Sequence, residues 1–190
     1  MRIIGGQYKG HRFYPPANIP ARPTTDFAKE GLFNILSNTC DFEDLRVLDL
    51  FGGTGSISYE FASRGCKDIT LVELDKRSLD FIRQTVVQMK MPIVPIKTDV
   101  FKFIESKHPN KYDLIFAGPP YPLPNLRDIP DLIFRHQLLN DEGRLVLEHN
   151  PHHNFDTHPC FIWKRNYGTT IFSVFEQKES AYSGENNEEK

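Results

Sequence analysis

The sequence predicts an α/β fold: a mostly parallel sheet with helices on both faces, closed at one edge by an antiparallel hairpin. Three observations predict it. Short apolar or β-branched runs alternate with segments whose apolar residues recur at helical spacing, in the order β-α-β-α-β-α-β-α-β. Two of the runs end in tight turns, Gly52-Gly53-Thr54-Gly55 and Gly118-Pro119-Pro120-Tyr121. The chain has 190 residues, about one domain's worth, and a domain of this size buries roughly 70% of the surface its unfolded chain exposes.

The elements follow in order. Residues 2–14 are expected to form a small hairpin, and Thr25 to cap a helix reaching about Ser37. Residues 46–51 (RVLDLF) make the first strand of the main sheet. A helix over 56–64 is expected to be capped by Gly65. Then come a strand at 69–73, a helix at 76–90 with apolar residues at 79, 82, 86 and 89, a strand at 93–96 and a brief helix at 101–105. A strand at 112–117 precedes the Gly-Pro-Pro-Tyr turn, a helix is expected over 129–139, and a strand over 144–149. Two further runs, 161–165 and 169–175, flank Tyr167-Gly168 and read as the closing hairpin. Residues 1–40 are thus an N-terminal extension packed on a main domain of residues 41–178. The tail, 179–190, is polar and acidic and is expected to be disordered.

Composition narrows the class. The apolar share is 39%, the charged share 25% and the aromatic share 12%, as in a soluble globular protein. No apolar run approaches the ~20 residues of a membrane span. Residues 1–6 carry one charged side chain and no apolar core, so they are not expected to be a secretory signal. Cys40, Cys66 and Cys160 are odd in number and far apart, which points to a reducing, cytoplasmic setting and no disulfide framework. Net charge is −2, yet the last 15 residues hold five Glu and two Lys, while the first 31 hold five Arg and Lys against two acids. A basic end on a neutral body is compatible with a nucleic-acid partner and equally with a solvated face.

In an open α/β sheet, ligands bind beyond the carboxyl ends of the strands. Three carboxylates stand at consecutive strand ends here: Asp49 before the glycine turn, Glu73, and Asp99. Asp49 would repel a pyrophosphate and attract an ammonium or sulfonium group; its alternative role is capping the loop's amides. Glu73, 18 residues past Gly55, is placed to accept from ribose hydroxyls, and Asp99 from an adenine amine. Together they outline a pocket for an adenosine carrying a positive group, which describes S-adenosylmethionine better than a dinucleotide. At the fourth strand end, Pro119 and Pro120 remove two amide donors and leave carbonyls facing the pocket, with Tyr121 as a stacking face for a base. Acceptors aimed at an exocyclic amine would favour its attack on a methyl group.

These residues resemble the RsmD family of bacterial 16S rRNA guanine-N2 methyltransferases. The resemblance runs from Met1 to about Phe175. It rests on Arg2-Ile3-Ile4-Gly5-Gly6, Arg22-Pro23-Thr24-Thr25-Asp26 with Lys29-Glu30 and Leu32-Phe33-Asn34-Ile35-Leu36, the Val47–Gly55 segment, Glu73, Asp99, Pro119-Pro120-Tyr121 and Tyr167-Gly168. It implies a class I S-adenosylmethionine-dependent methyltransferase fold, a Rossmann-like sheet of seven strands. It implies S-adenosylmethionine as cofactor and, as substrate, a guanine of 16S rRNA in the small ribosomal subunit or an assembly intermediate of it. By carry-over, Asp49, Gly52, Gly53, Thr54, Gly55, Glu73, Leu74, Asp99, Val100 and Gly118 hold the cofactor, and Arg22 and Thr24 close over it. Gly118, Pro119, Pro120 and Tyr121 form the catalytic turn. Arg2, Lys9 and Arg12 of the N-terminal hairpin face RNA.

One position departs from the family. Its pattern before Pro-Pro-Tyr is Asp or Asn, and here it is Gly118. Asp113, five residues earlier, is at the wrong end of the strand to compensate, since a strand rises ~3.3 Å per residue. Three readings stay open: methyl transfer on backbone acceptors alone, binding of cofactor and RNA without turnover, or a single change in an otherwise active enzyme. A different planar amine, a DNA adenine or a protein glutamine, is a further acceptor class. His149, His152, His153, His158 and Cys160 are metal-ligand types, but their spacing matches no closed site, and no metal is expected. Glu148 is expected to be structural, the aromatic residues of the C-terminal hairpin to pack the sheet, and the chain to be a monomer.

Overall fold

The computed structural model describes residues 1–20 and 24–177. Thr25 accepts the amide of Ala28 and so caps α1, Asp26–Ser37. There follow β1 (Arg46–Leu50), α2 (Ser56–Ser63), β2 (Asp68–Glu73), α3 (Lys76–Met89), β3 (Ile93–Lys97), α4 (Val100–Glu105), β4 (Tyr112–Ala117), α5 (Ile129–Arg135), β5 (Leu139–His149), β6 (Phe161–Tyr167) and β7 (Thr170–Glu176). They form a seven-stranded sheet in the order β3-β2-β1-β4-β5-β7-β6. All pairs from β3 to β5 are parallel, and β7 is antiparallel to both neighbours. The α/β class and the antiparallel closing hairpin are therefore as the sequence predicts.

Strand alternation divides the core in two. Val47, Leu114, Phe116, Val146 and Phe172 face one layer with α1, α2 and α3. Leu48, Leu50, Ile115, Ala117, Leu145 and Leu147 face the other, with α4 and α5. The polar residues that interrupt the first face, Asp49 on β1 and Glu148 on β5, alternate in phase with Val47 and Val146. They lie toward the carboxyl ends of their strands. Pro95 interrupts β3, which tolerates the missing amide because it is an edge strand.

Two segments differ from the sequence-based expectation. The helix expected over 129–139 ends at Arg135, because Gln137 turns into the left-handed region (φ 51°). Leu139 then opens β5 opposite Tyr112, so β5 is five residues longer at its start than the 144–149 run implies. Residues 2–14 do not form paired strands. A single antiparallel bridge joins Arg2 to Arg12, and main-chain bonds tie the two arms together, among them Ile3 to His11, Gly10 to Ile3, and Met1 and Phe13 to each other.

This N-terminal loop is locked to the body by a buried charge cluster. Lys29 is 1% exposed; its Nζ donates to the Arg2 carbonyl (2.5 Å) and lies 3.3 Å from Glu60 Oε1. Glu60 also accepts the Ile4 amide at 2.7 Å and pairs with Arg64. The basic surplus of the first 31 residues is accordingly smaller at the surface than its count suggests. Lys29 is internal, and Arg2 pairs with Asp26 at 3.2 Å.

Candidate methyl-transfer site

A cavity of about 920 Å³ opens at the carboxyl ends of β1, β2, β4 and β5, large for a small-molecule site. Its wall contains Asp49, Glu73, Asp75, Asp99 and Glu148 against Lys76 and Lys97. That carboxylate excess disfavours a phosphate-bearing ligand and favours a cationic one.

The glycine turn is built for close approach. Gly55 stands at the N-cap of α2 with φ 82°, and a Cβ there would meet the Tyr59 ring at 2.5 Å, so only glycine fits. Phe51, just before the turn, is held in the left-handed region (φ 65°), a conformation costly for a bulky residue and typical of ligand clamps. Gly52 donates to Val72 and Gly53 donates to Glu73 Oε2 at 2.6 Å. Glu73 Oε1 accepts the Asp75 amide at 2.7 Å. Glu73 thus fixes the turn after β1 from the end of β2, and burial raises its pKa despite these bonds. Thr54 is buried and its hydroxyl meets the Met1 sulfur.

Asp49 is 2% exposed and accepts the Ser58 hydroxyl at 2.6 Å. Burial pushes its carboxyl up to about 7, against the Ser58 bonds, with the charges of Glu73 and Glu148 adding to the rise. Its carboxylate is therefore poised to ionise when a cation arrives. Asp99 caps α4, its Oδ1 accepting the amides of Phe101 and Lys102. Leu74 and Val100 border the same end of the cavity as Phe51 and Phe101, whose rings meet edge to face at 6.4 Å. Leu74 is an exposed apolar side chain in that wall.

The Pro-Pro-Tyr turn supplies a further part of the lining. Gly118, Pro119, Pro120 and Tyr121 all border the cavity. The Tyr121 hydroxyl donates to Glu148 Oε1 at 3.0 Å, and Thr24 Oγ1 donates to Glu148 Oε2 at 2.6 Å. Thr24 borders the cavity; Arg22 lies outside the described residues, as does the tail, 179–190. Arg2, Lys9 and Arg12 are exposed on the N-terminal loop and do not line the cavity. Asp113 is at the far end of the sheet, accepting from Arg46 and Asn140.

Sequence reasoning left out Glu148 as a site residue and did not single out Phe116, Thr170 or Phe51. The signal for Glu148 was a carboxylate in phase with Val146, directly after the apolar run 145–147. In the histidine-rich loop both ring nitrogens of His149 are engaged, by the Asn150 carbonyl and the Ser173 hydroxyl, and His158 Nδ1 accepts the Cys160 amide.

The chain is similar to known proteins. The chain is 28% identical over 161 residues to ribosomal RNA small subunit methyltransferase D of Escherichia coli K12, 84% of this chain and 80% of that one. The same enzyme of Buchnera aphidicola (Baizongia pistaciae) is 29% identical over 150 residues, 78% and 75%. A solved structure of a hypothetical protein from Thermus thermophilus superposes with a TM-score of 0.81 at 25% identity, covering 93% of this chain and 99% of that one. A family model described as "Conserved hypothetical protein 95" matches residues 1–176, and with that span the chain belongs to this family, the RsmD family of methyltransferases.

Proposed function

We propose that this protein transfers a methyl group from S-adenosylmethionine to the exocyclic N2 of a guanine in 16S rRNA, within the small ribosomal subunit or a precursor of it. The observation that carries this reading is the pairing of two walls in one cavity: carboxylates at the ends of β1 and β2, and a Pro-Pro-Tyr turn at the end of β4. The names of the relatives, ribosomal RNA small subunit methyltransferase D, support the RNA and the subunit. Action on ribosomal RNA agrees with a cytoplasmic setting. Among the described residues no helix is long and apolar enough to cross a membrane.

The chain's residues divide the work. Asp49 attracts the cationic end of the cofactor, Glu73 its ribose, and Asp99, Leu74 and Val100 its adenine. Arg22 and Thr24 belong to the segment that closes over it. S-adenosylmethionine, when bound, supplies an electrophilic methyl on a sulfonium. The acceptor nitrogen bonds the methyl carbon as the carbon–sulfur bond breaks and its electron pair returns to sulfur; the nitrogen then sheds one proton. Carbonyls of the Pro-Pro turn hold the amine, and Tyr121 stacks on the base. Arg2, Lys9 and Arg12 contact RNA phosphates outside the cavity.

The test offers labelled S-adenosylmethionine with four acceptors: small-subunit particles lacking this methylation, naked 16S rRNA, duplex DNA and a glutamine-containing peptide. Label is expected in ribosomal RNA. Label in DNA or peptide instead, or cofactor binding with no transfer to any acceptor, would overturn the reading.

A further inference from the structure

The side of the cavity that must hold the acceptor amine has no side chain at position 118. Gly118 follows Ala117, which pairs with Leu147 in the parallel β4–β5 register. Continued one step beyond the end of β4, that register sets Gly118 level with Glu148. Neighbouring parallel strands lie about 4.8 Å apart, and residues in register point to the same face. Phe116 and Val146, two residues back on each strand, share that face. A carboxylate absent at 118 is thus present one strand over, at the same level and on the same side.

Phe116 explains why the carboxylate stands there. Its ring Cε1 is 2.9 Å from where a Cβ on Gly118 would be. The ring is 2% exposed, rests near Phe172 and borders the cavity, so a side chain at 118 requires it to shift. Glu148 is 8% exposed and borders the cavity together with Gly118, Pro119 and Tyr121. Thr24 and Tyr121 donate to its two oxygens from different segments. Thr170 Oγ1 lies 3.3 Å from the Tyr121 hydroxyl. An ionised carboxylate is an acceptor at both oxygens, as these two hydroxyl donors require.

Building on the methyltransferase reading, we propose that Glu148 is a catalytic residue: its carboxylate orients the acceptor amine in place of a side chain at 118. It accepts an N–H of the exocyclic amine while the nitrogen bonds the methyl carbon. It then takes the proton that the methylated nitrogen releases and passes it to water. Through Thr24 and Tyr121 the same carboxylate joins the segment closing over the cofactor to the ring that stacks on the base, so both substrates are positioned by one group.

The experiment compares wild type with Glu148→Gln, Glu148→Asp and the double variant Thr24→Val/Tyr121→Phe. It measures S-adenosylmethionine affinity by calorimetry, thermal unfolding, and kcat and KM for methyl transfer to unmethylated small-subunit particles. Glu148→Gln keeps the shape and an acceptor oxygen but loses the charge; its kcat is expected to fall about 10²–10³-fold, with cofactor affinity within threefold of wild type. Glu148→Asp is expected to retain at least tenfold more turnover than the Gln variant. The double variant removes both hydroxyls and keeps the carboxylate, and is expected to lose less than the Gln variant. A Gln variant within threefold of wild-type kcat overturns the inference. So does a double variant as impaired as the Gln variant, since Glu148 would then act only as a prop, or a Gln variant whose stability and cofactor affinity collapse with its turnover. A wild-type protein that binds the cofactor but labels no RNA overturns the methyltransferase reading, and this inference with it.

Discussion

The Phe116 ring stands 2.9 Å from where a side chain on Gly118 would begin. A side chain at 118 therefore meets this ring, which borders the cavity. Gly118→Asp does not simply restore a family acceptor. The buried ring must shift, at a cost of about 1–3 kcal/mol for an overpacked core. Gly118→Asp is expected to unfold at lower denaturant concentration and to show no gain in turnover. Chemical denaturation and steady-state methyl transfer check both; a faster enzyme of unchanged stability would contradict this packing.

Asp49 predicts a pH dependence with a definite sign. Its carboxyl is held at about 7 by burial, above its ordinary 3.8, so the folded protein keeps a proton that the unfolded chain has released. That contribution to stability is full below about pH 4, declines as pH rises to about 7, and is flat above. A cation beside Asp49 reverses the preference. S-adenosylmethionine affinity is expected to rise with pH up to about 7, approaching tenfold per pH unit on the acidic side, with release of a proton on binding. Calorimetry in buffers of different ionisation enthalpy reads the proton directly. Asp49→Asn should abolish both dependences and weaken binding.

Glu73 accepts the Gly53 amide at 2.6 Å and the Asp75 amide at 2.7 Å. In Glu73→Gln one amide faces an NH₂ donor in place of an oxygen. Hydrogen bonds to a charged partner contribute about 1.5–3 kcal/mol. Cofactor affinity is expected to drop about 10- to 100-fold by calorimetry, with thermal stability falling as the glycine turn loosens.

Lys29 is 1% exposed and bridges the N-terminal loop to Glu60. Lys29→Met leaves Glu60, also buried, with Arg64 and the Ile4 amide. Breaking a buried pair from one side costs about 3–5 kcal/mol, and the remaining partners place this case at the low end. Denaturant titration should show that loss. Because the loop carries Arg2, Lys9 and Arg12, the KM for particles should rise more than the cofactor Kd.

Most of the fold was legible because its signals are local. The Thr25 cap, the two turns and the short apolar run at 46–51 each need only neighbouring residues. The errors came where tertiary contacts decide. Leu138 and Leu139 look like the last turn of a helix, but the left-handed Gln137 and the pairing of Leu139 with Tyr112 draw them into β5. Lys29 counts as a surface charge until Glu60, 31 residues away, is seen beside it. That Asp49, Glu73 and Asp99 border one cavity was legible because each stands near the end of its own strand. Glu148 was not, because its meaning depends on the register between β4 and β5 and on Phe116 standing beside position 118, and neither distance is written in one segment.

The most direct test of the central claim is the identity of the methylated nucleoside. Small-subunit particles lacking this methylation are incubated with the protein and labelled S-adenosylmethionine, and the rRNA is digested to nucleosides and separated. The predicted result is label in N2-methylguanosine from 16S rRNA. Label in any other nucleoside, or none in RNA from a protein that binds the cofactor, would contradict it.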